Sequence, residues 1–149
     1  MMTLPPDFKE FIEWLNEHEV EYLLLGGYAV AAYGHVRATG DIDFWVKPTE
    51  ENARKVIKAL SDFGFQFPNL TADDFVNPDN VVQLGYPPLR IDVMTSTSGL
   101  VFDTAYARRN EMEIDGTSVK VVGLKDLRIN KRTTGRGKDL GDLENLPEE

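Results

Sequence analysis

The chain of 149 residues contains no cysteine, only two histidines and no long apolar run. The lack of cysteine excludes disulfide frameworks, thiolate metal sites and thiol nucleophiles. No stretch approaches the roughly 18 apolar residues that a membrane-spanning helix needs. The N-terminus, from Met1 to Phe8, lacks the basic-then-apolar layout of a signal peptide. We therefore expect a cytoplasmic protein with no membrane partner.

Positive charge is scarce overall but concentrated near the C-terminus. The formal net charge of −9 disfavours a protein that simply coats nucleic acid, because phosphate backbones bind clustered Lys and Arg. Residues 120 to 138, however, include seven basic residues and one acidic residue, Asp126, which gives this segment a net charge of +6. The seven are Lys120, Lys125, Arg128, Lys131, Arg132, Arg136 and Lys138. This segment is expected to attract an anionic ligand.

The order of apolar patterns predicts one domain of the α/β or α+β class, with helices packed on a mixed sheet and two short helices at the C-terminus. An amphipathic opening helix is followed by a strand, a Gly26-Gly27 turn and an Ala-rich helix up to Tyr33. Further strands are predicted at 41–46, 81–84 and 89–94, and a hairpin turns at Asp115-Gly116. Gly85 to Pro88 is predicted as a turn, and residues 68–80 as loop.

Three aspartates carry the strongest chemical signal. Asp41 and Asp43 lie two residues apart in a predicted strand, so both side chains project from one face. Asp92 occupies the polar face of another predicted strand, and it would join the pair if the two strands are neighbours. Like charges so close favour a hard divalent cation as the compensating partner. The competing interpretation is three unrelated aspartates at strand edges or in solvent.

Two other features suggest phosphate binding. Gly26-Gly27 ends a strand and opens a helix, where backbone N–H groups can approach a phosphate, although an ordinary strand-to-helix turn has the same pattern. Lys131 falls on the same helical stripe as Leu124 and Leu127, which aims it inward, unless its stem snorkels and leaves the ammonium in water. Neither a Gly-x-Gly-x-x-Gly nor a P-loop sequence is present.

These motifs together resemble the DNA polymerase β superfamily of nucleotidyltransferases. The resemblance rests on the runs from Leu25 to Val30 and from Arg37 to Phe44, on Asp92, and on a C-terminal pattern from Lys131 to Glu144. It is greatest for the small bacterial branch that includes abortive-infection toxins of toxin–antitoxin pairs. Many members of the superfamily have Gly-Ser where this chain has Gly26-Gly27, so a hydroxyl contact to phosphate is missing.

The resemblance implies a nucleotidyltransferase fold and metal-dependent transfer of a nucleotidyl group from a nucleoside triphosphate to an acceptor hydroxyl. Asp41, Asp43 and Asp92 would hold Mg²⁺ or Mn²⁺ and act as the catalytic residues. The implied nucleotide-binding residues are Gly26, Gly27, Arg37, Thr39, Lys131, Arg136 and Lys138. Arg37 and Thr39 would donate to phosphate or lock the turn, with a surface ion pair as the competing role for Arg37. Arg136 and Lys138 would reach the triphosphate or cap the preceding helix.

The acceptor is left open between RNA, a protein side chain and a small molecule. Because 149 residues leave little room for a separate acceptor-binding domain, a partner protein or a second subunit is expected to help hold it. Two other hypotheses compete with the enzyme: a catalytically silent nucleotide-sensing or protein-binding relative, and a glycosyltransferase, which also uses Asp-x-Asp. The short chain and the Gly26-Gly27 turn disfavour the glycosyltransferase.

Overall fold

A computed structural model describes residues 2–65 and 68–148, which form a six-stranded β-sheet flanked by helices. The helices are α1 (Pro6–Glu17), α2 (Gly26–Ala32), α3 (Glu50–Phe63), α4 (Phe102–Ala107), α5 (Leu124–Thr134) and α6 (Gly137–Asn145). The strands are β1 (Tyr22–Leu25), β2 (Asp41–Val46), β3 (Val81–Tyr86), β4 (Leu89–Met94), β5 (Asn110–Ile114) and β6 (Thr117–Val121). None of these helices is long and apolar enough to cross a membrane.

The sheet is mixed, with the order β3-β4-β2-β1-β6-β5. β1 runs antiparallel to β2 and parallel to β6, whereas β2 and β4 are parallel neighbours. The end of β1 therefore meets the beginnings of β2 and β4 at one edge of the sheet. The catalytic candidates lie at this edge.

Alternation along β2 divides its side chains between the two faces of the sheet. Phe44 points toward α1, where its ring lies 5.4 Å from that of Phe11. Trp45 points to the opposite face and meets Phe102 of α4 at 5.0 Å between ring centroids. Asp41 and Asp43 share the Trp45 face, and helix α5 borders the same cleft as the two aspartates. Both faces of the central sheet are thus covered.

The fold class predicted from the sequence is confirmed, including the two C-terminal helices. Two local predictions were wrong, and one helix was not predicted. The segment 68–80 contains a short 3₁₀ helix, Ala72–Phe75, because Thr71 and Asp74 form a capping box around its first turn. The turn expected over Gly85 to Pro88 shrinks to Pro87-Pro88, since β3 continues to Tyr86. Helix α4 was missed because six residues are too few to establish a helical period.

Candidate active site

The parallel pairing of β2 with β4 brings the three aspartates together. Asp43 lies directly opposite Asp92 in the strand register, and Asp41 lies opposite Arg90. Cross-strand partners project from the same face, so all four side chains point the same way. They line a cleft of about 290 Å³. The sequence-based expectation that the two aspartate strands are neighbours is therefore met.

Arg90 is the residue at this site that sequence reasoning missed. Its Nε donates to Asp92 Oδ1 at 2.8 Å, and its Nη2 donates to Asp92 Oδ2 at 3.1 Å and to Asp41 Oδ2 at 3.0 Å. Such a forked contact engages both oxygens of Asp92. The signal was present in the sequence, because Arg90 stands two residues before Asp92 in a strand and must share its face.

Asp43 carries the uncompensated charge of the cluster. Burial, followed by the negative charges of Asp92 and Asp41, raises the pKa of the Asp43 carboxyl to about 6, against the weaker opposing effect of Lys131 and Lys138. Within the described residues, no Lys or Arg pairs directly with this carboxylate, whereas Asp41 and Asp92 both pair with Arg90. The site thus lacks positive charge at Asp43.

The donor set matches a divalent cation in kind. Carboxylate oxygens are the ligands that Mg²⁺ and Mn²⁺ prefer, and a cation would relieve the repulsion that raises the pKa of Asp43. In residues 2–65 and 68–148, however, no three acidic or histidine side chains already stand close enough together to hold an ion. Arg90 instead binds both oxygens of Asp92 and one oxygen of Asp41.

Close contacts with neighbouring side chains require glycine at positions 26 and 27. Gly26 has a φ of +67°, and a Cβ on it would lie 2.1 Å from Asp43 Oδ2. A Cβ on Gly27 would lie 2.7 Å from Thr39 Oγ1 and 3.2 Å from an Arg37 Nη1. The sequence had suggested close approach of a phosphate. The observed geometry provides a second reason for glycine, namely close approach of Asp43 and Thr39.

Lys131 points inward, as its helical position predicted, and its ammonium does not reach solvent by snorkelling. The side chain is 4% exposed, and Nζ lies 3.2 Å from Asp139 Oδ1 and 3.1 Å from Asp142 Oδ2. Both aspartates belong to α6. The sequence motif included them, but their role as partners of Lys131 could not be seen without the packing of α6 against α5.

Arg37 and Arg136 also bind the same two buried carboxylates, one each. Arg37 binds Asp142 through Nε and Nη2 at 2.7 and 2.9 Å, so it is an ion-pair residue whose partner is buried. Arg136 caps the beginning of α6, and its Nε donates to Asp139 Oδ2 at 2.7 Å. The helix that Arg136 caps is the one that follows it, whereas the sequence had suggested the preceding one.

Most of the predicted site residues line one cleft. Those at the cleft surface are Gly26, Asp41, Asp43, Asp92, Lys131, Arg136 and Lys138, joined by Arg90, Thr97, Asn130 and Thr134. Arg37 and Thr39 instead lie beside Gly27, behind the turn. The cleft therefore has a carboxylate end on β2 and β4 and a cationic end on α5 and α6. Such polarity suits a ligand that carries phosphate and metal together.

Comparison with known proteins identifies one matching family. A family model described as "Nucleotidyltransferase of unknown function (DUF6036)" matches residues 4–146. No curated protein sequence gives a significant match.

Two solved structures share the fold. A candidate nucleotidyltransferase from Thermotoga maritima, TM1012, is 16% identical, with a TM-score of 0.63 over 96% of this chain and 94% of that one. The lincosamide antibiotic adenylyltransferase LnuA, in a lincomycin-bound structure, is 17% identical, with a TM-score of 0.65 over 97% of this chain and 96% of that one. At these identities the likeness concerns the fold.

Gly26→Ala should destabilise the protein by about 1–3 kcal/mol, because the new methyl group meets Asp43 at a backbone conformation that alanine disfavours. Gly141→Ala is the matched control, since it lies inside α6 with open space around a new Cβ, and it should stabilise by about 0.5–1 kcal/mol. Urea denaturation measures both. Equal effects of the two substitutions would contradict the assigned contact.

Asp43→Asn should stabilise the metal-free protein at pH 8. Folding raises the pKa of Asp43 from its ordinary value of 3.8 to about 6. Ionisation of Asp43 therefore lowers the free energy of unfolding progressively as pH rises from about 4 to about 6, and the full loss persists at higher pH. We expect a gain of about 1–2 kcal/mol at pH 8, discounted for partial solvent exposure, and none near pH 4. Thermal unfolding in chelator at both pH values measures it, and a less stable variant at pH 8 would refute the charge assignment.

Proposed function

Since the chain belongs to the family described as nucleotidyltransferases of unknown function, we propose that it moves a nucleotidyl group from a nucleoside triphosphate to an acceptor hydroxyl, with release of pyrophosphate. One observation carries the proposal. Asp43 lies beside Asp92 on a neighbouring parallel strand, with Asp41 on the same face, in a cleft whose other end holds Lys131. This arrangement suits a metal-dependent reaction at phosphorus.

Each carboxylate has a proposed role. Asp41 and Asp43 hold the divalent metal, Mg²⁺ or Mn²⁺, which when bound stabilises the charge that develops on the phosphate oxygens. Asp92 contributes to the same metal site and accepts the proton of the acceptor hydroxyl. Arg90 must share or release Asp92 for either task, because both oxygens of Asp92 accept from it.

The cationic end of the cleft is proposed to bind the triphosphate. Lys131, Arg136 and Lys138 line it and supply the positive charge, and Gly26 lines the same cleft next to Asp43. Arg37 and Thr39 are proposed to lock the turn behind Gly27 and not to contact phosphate, because Arg37 already makes a two-point contact with Asp142.

The acceptor is proposed to be RNA, a protein side chain or a small molecule. LnuA is a lincosamide antibiotic adenylyltransferase, which makes ATP and a small acceptor one option for this chain. We propose that the protein works in the cytoplasm as a single nucleotidyltransferase domain, aided by a partner protein or a second copy that holds the acceptor. Membership of a toxin–antitoxin pair is a narrower hypothesis, which rests on the sequence resemblance alone.

A catalytically silent, nucleotide-sensing relative is the alternative. The observation that favours it is Arg90, which neutralises part of the carboxylate cluster without any metal. Intact Asp41, Asp43 and Asp92 favour the enzyme, because a silent relative has no need of three carboxylates on one face.

Label transfer decides between the two. Purified protein with Mg²⁺ or Mn²⁺, each α-labelled nucleoside triphosphate in turn and a cell extract should yield labelled product, and nuclease or protease sensitivity would classify the acceptor. Asp43→Asn should lower the rate about thousandfold, since losing several kcal/mol of metal stabilisation costs tenfold per 1.4 kcal/mol. Asp73→Asn, an exposed aspartate outside the cleft, is the control and should retain full activity.

No label with any nucleotide from a folded protein, or an Asp43→Asn variant as active as wild type, would reject the enzymatic proposal. Labelled RNA would keep the toxin hypothesis open, whereas a labelled small molecule would count against it.

A further inference from the structure

The two aspartates of α6 stand among the groups expected to bind a polyanion, where negative charge is unfavourable. We propose that Asp139 and Asp142 are positioning residues that fix the Lys131 ammonium so that one N–H faces a phosphate of the bound nucleotide. This inference rests on the proposed function and adds to it the two carboxylates that orient the phosphate-binding lysine.

Among the described residues, the geometry leaves Lys131 one free donor. An ammonium has three N–H groups, and the carboxylates at 3.2 and 3.1 Å accept two of them. Lys131 also lines the cleft that Asp43 borders, so the third N–H is available to a ligand there. A buried lysine held by two carboxylates has little rotational freedom, and a ligand therefore loses little entropy in ordering it.

The carboxylates themselves are held by other cations. Burial alone would raise the pKa of Asp142, but hydrogen bonds from Arg37 and Lys131 lower it overall. For Asp139, the effect of burial is likewise outweighed by hydrogen bonds from Arg136, Thr134 and Lys131, so its pKa is lowered too. Both groups remain ionised at neutral pH. The network Arg37–Asp142–Lys131–Asp139–Arg136 contains three cations and two anions, a net charge of +1.

The proposal and simple electrostatics predict opposite changes in triphosphate affinity when the charge of Asp142 is removed. Removing the charge of Asp142 makes the cleft more positive, and attraction alone would then strengthen triphosphate binding. If Asp142 positions Lys131, the same change weakens binding, because the ammonium loses a partner and its fixed direction. A change in affinity therefore discriminates between the two.

The remaining alternative is a purely structural role, in which the ion pairs of Asp139 and Asp142 only hold α6 against the rest of the protein. Asp126 provides the matched control. It is fully buried in α5 and forms a two-point ion pair with Arg108, at 2.6 and 3.1 Å, but it does not line the cleft. Asp126→Asn should destabilise the fold about as much as Asp142→Asn does, without touching Lys131.

The test is calorimetric titration of wild type, Asp142→Asn and Asp126→Asn with non-hydrolysable analogues of the four nucleoside triphosphates in Mg²⁺. We expect Asp142→Asn to bind at least about tenfold more weakly, because the Lys131 ammonium is no longer held toward the phosphate, and Asp126→Asn to bind within about twofold of wild type. Unchanged or tighter binding by Asp142→Asn overturns the inference, and so does an equal loss in both variants. If wild type binds no analogue, the proposed function itself fails.

A double-mutant cycle shows whether Asp142 acts through Lys131. In a Lys131→Met background, Asp142→Asn should change the affinity by less than about twofold, whereas independent roles would give additive losses and overturn the inference. The NMR signal of the Lys131 ammonium should shift when the analogue is added to wild type and should broaden in Asp142→Asn; an identical signal in both proteins contradicts the proposal. Should Asp142→Asn not fold, Asp142→Glu keeps the charge but moves the carboxylate, and it should also weaken binding.

Discussion

Repulsion among Asp41, Asp43 and Asp92 is the constraint on which the rest of the site depends. Parallel pairing of β2 with β4 places Asp43 opposite Asp92, so the fold itself brings like charges together at one edge of the sheet. Arg90 relieves part of the repulsion by binding Asp92 and Asp41, and Asp43 is left with a pKa raised to about 6. The protein retains a destabilising charge at this position, as proteins do where function requires it.

The surrounding elements follow from that cluster. Glycine at position 26 leaves space for Asp43, and the positive φ of Gly26 turns the chain from β1 into α2 at the edge where the aspartates lie. On the other side of the cleft, Lys131 of α5 is bound to Asp139 and Asp142, and Arg136 at the beginning of α6 is bound to Asp139. The carboxylate end of the cleft thus has fewer cations than carboxylates. The cationic end presents side chains that are held in place by ion pairs.

The sequence predicted what depends on local spacing. The period of two along β2 placed Asp41 and Asp43 on one face, the helical period of α5 placed Lys131 inward, and the alternation of β4 isolated Asp92 from its apolar neighbours. What it could not supply depends on which elements pack together. The two partners of Lys131 come from α6, eight and eleven residues further along the chain, and Arg37 reaches Asp142 across 105 residues. Arg90 was predictable in principle, because its place in the strand already put it beside Asp92.

We propose that the carboxylate end of the cleft binds a divalent metal together with a triphosphate. Titration of Mn²⁺ into the wild-type protein and Asp43→Asn, followed by electron paramagnetic resonance with and without a non-hydrolysable triphosphate, tests it without any acceptor. We expect wild type to bind Mn²⁺, the triphosphate to tighten this binding, and Asp43→Asn to lose the protein-bound ion. Equal Mn²⁺ binding by the two proteins in the presence of the triphosphate would contradict it.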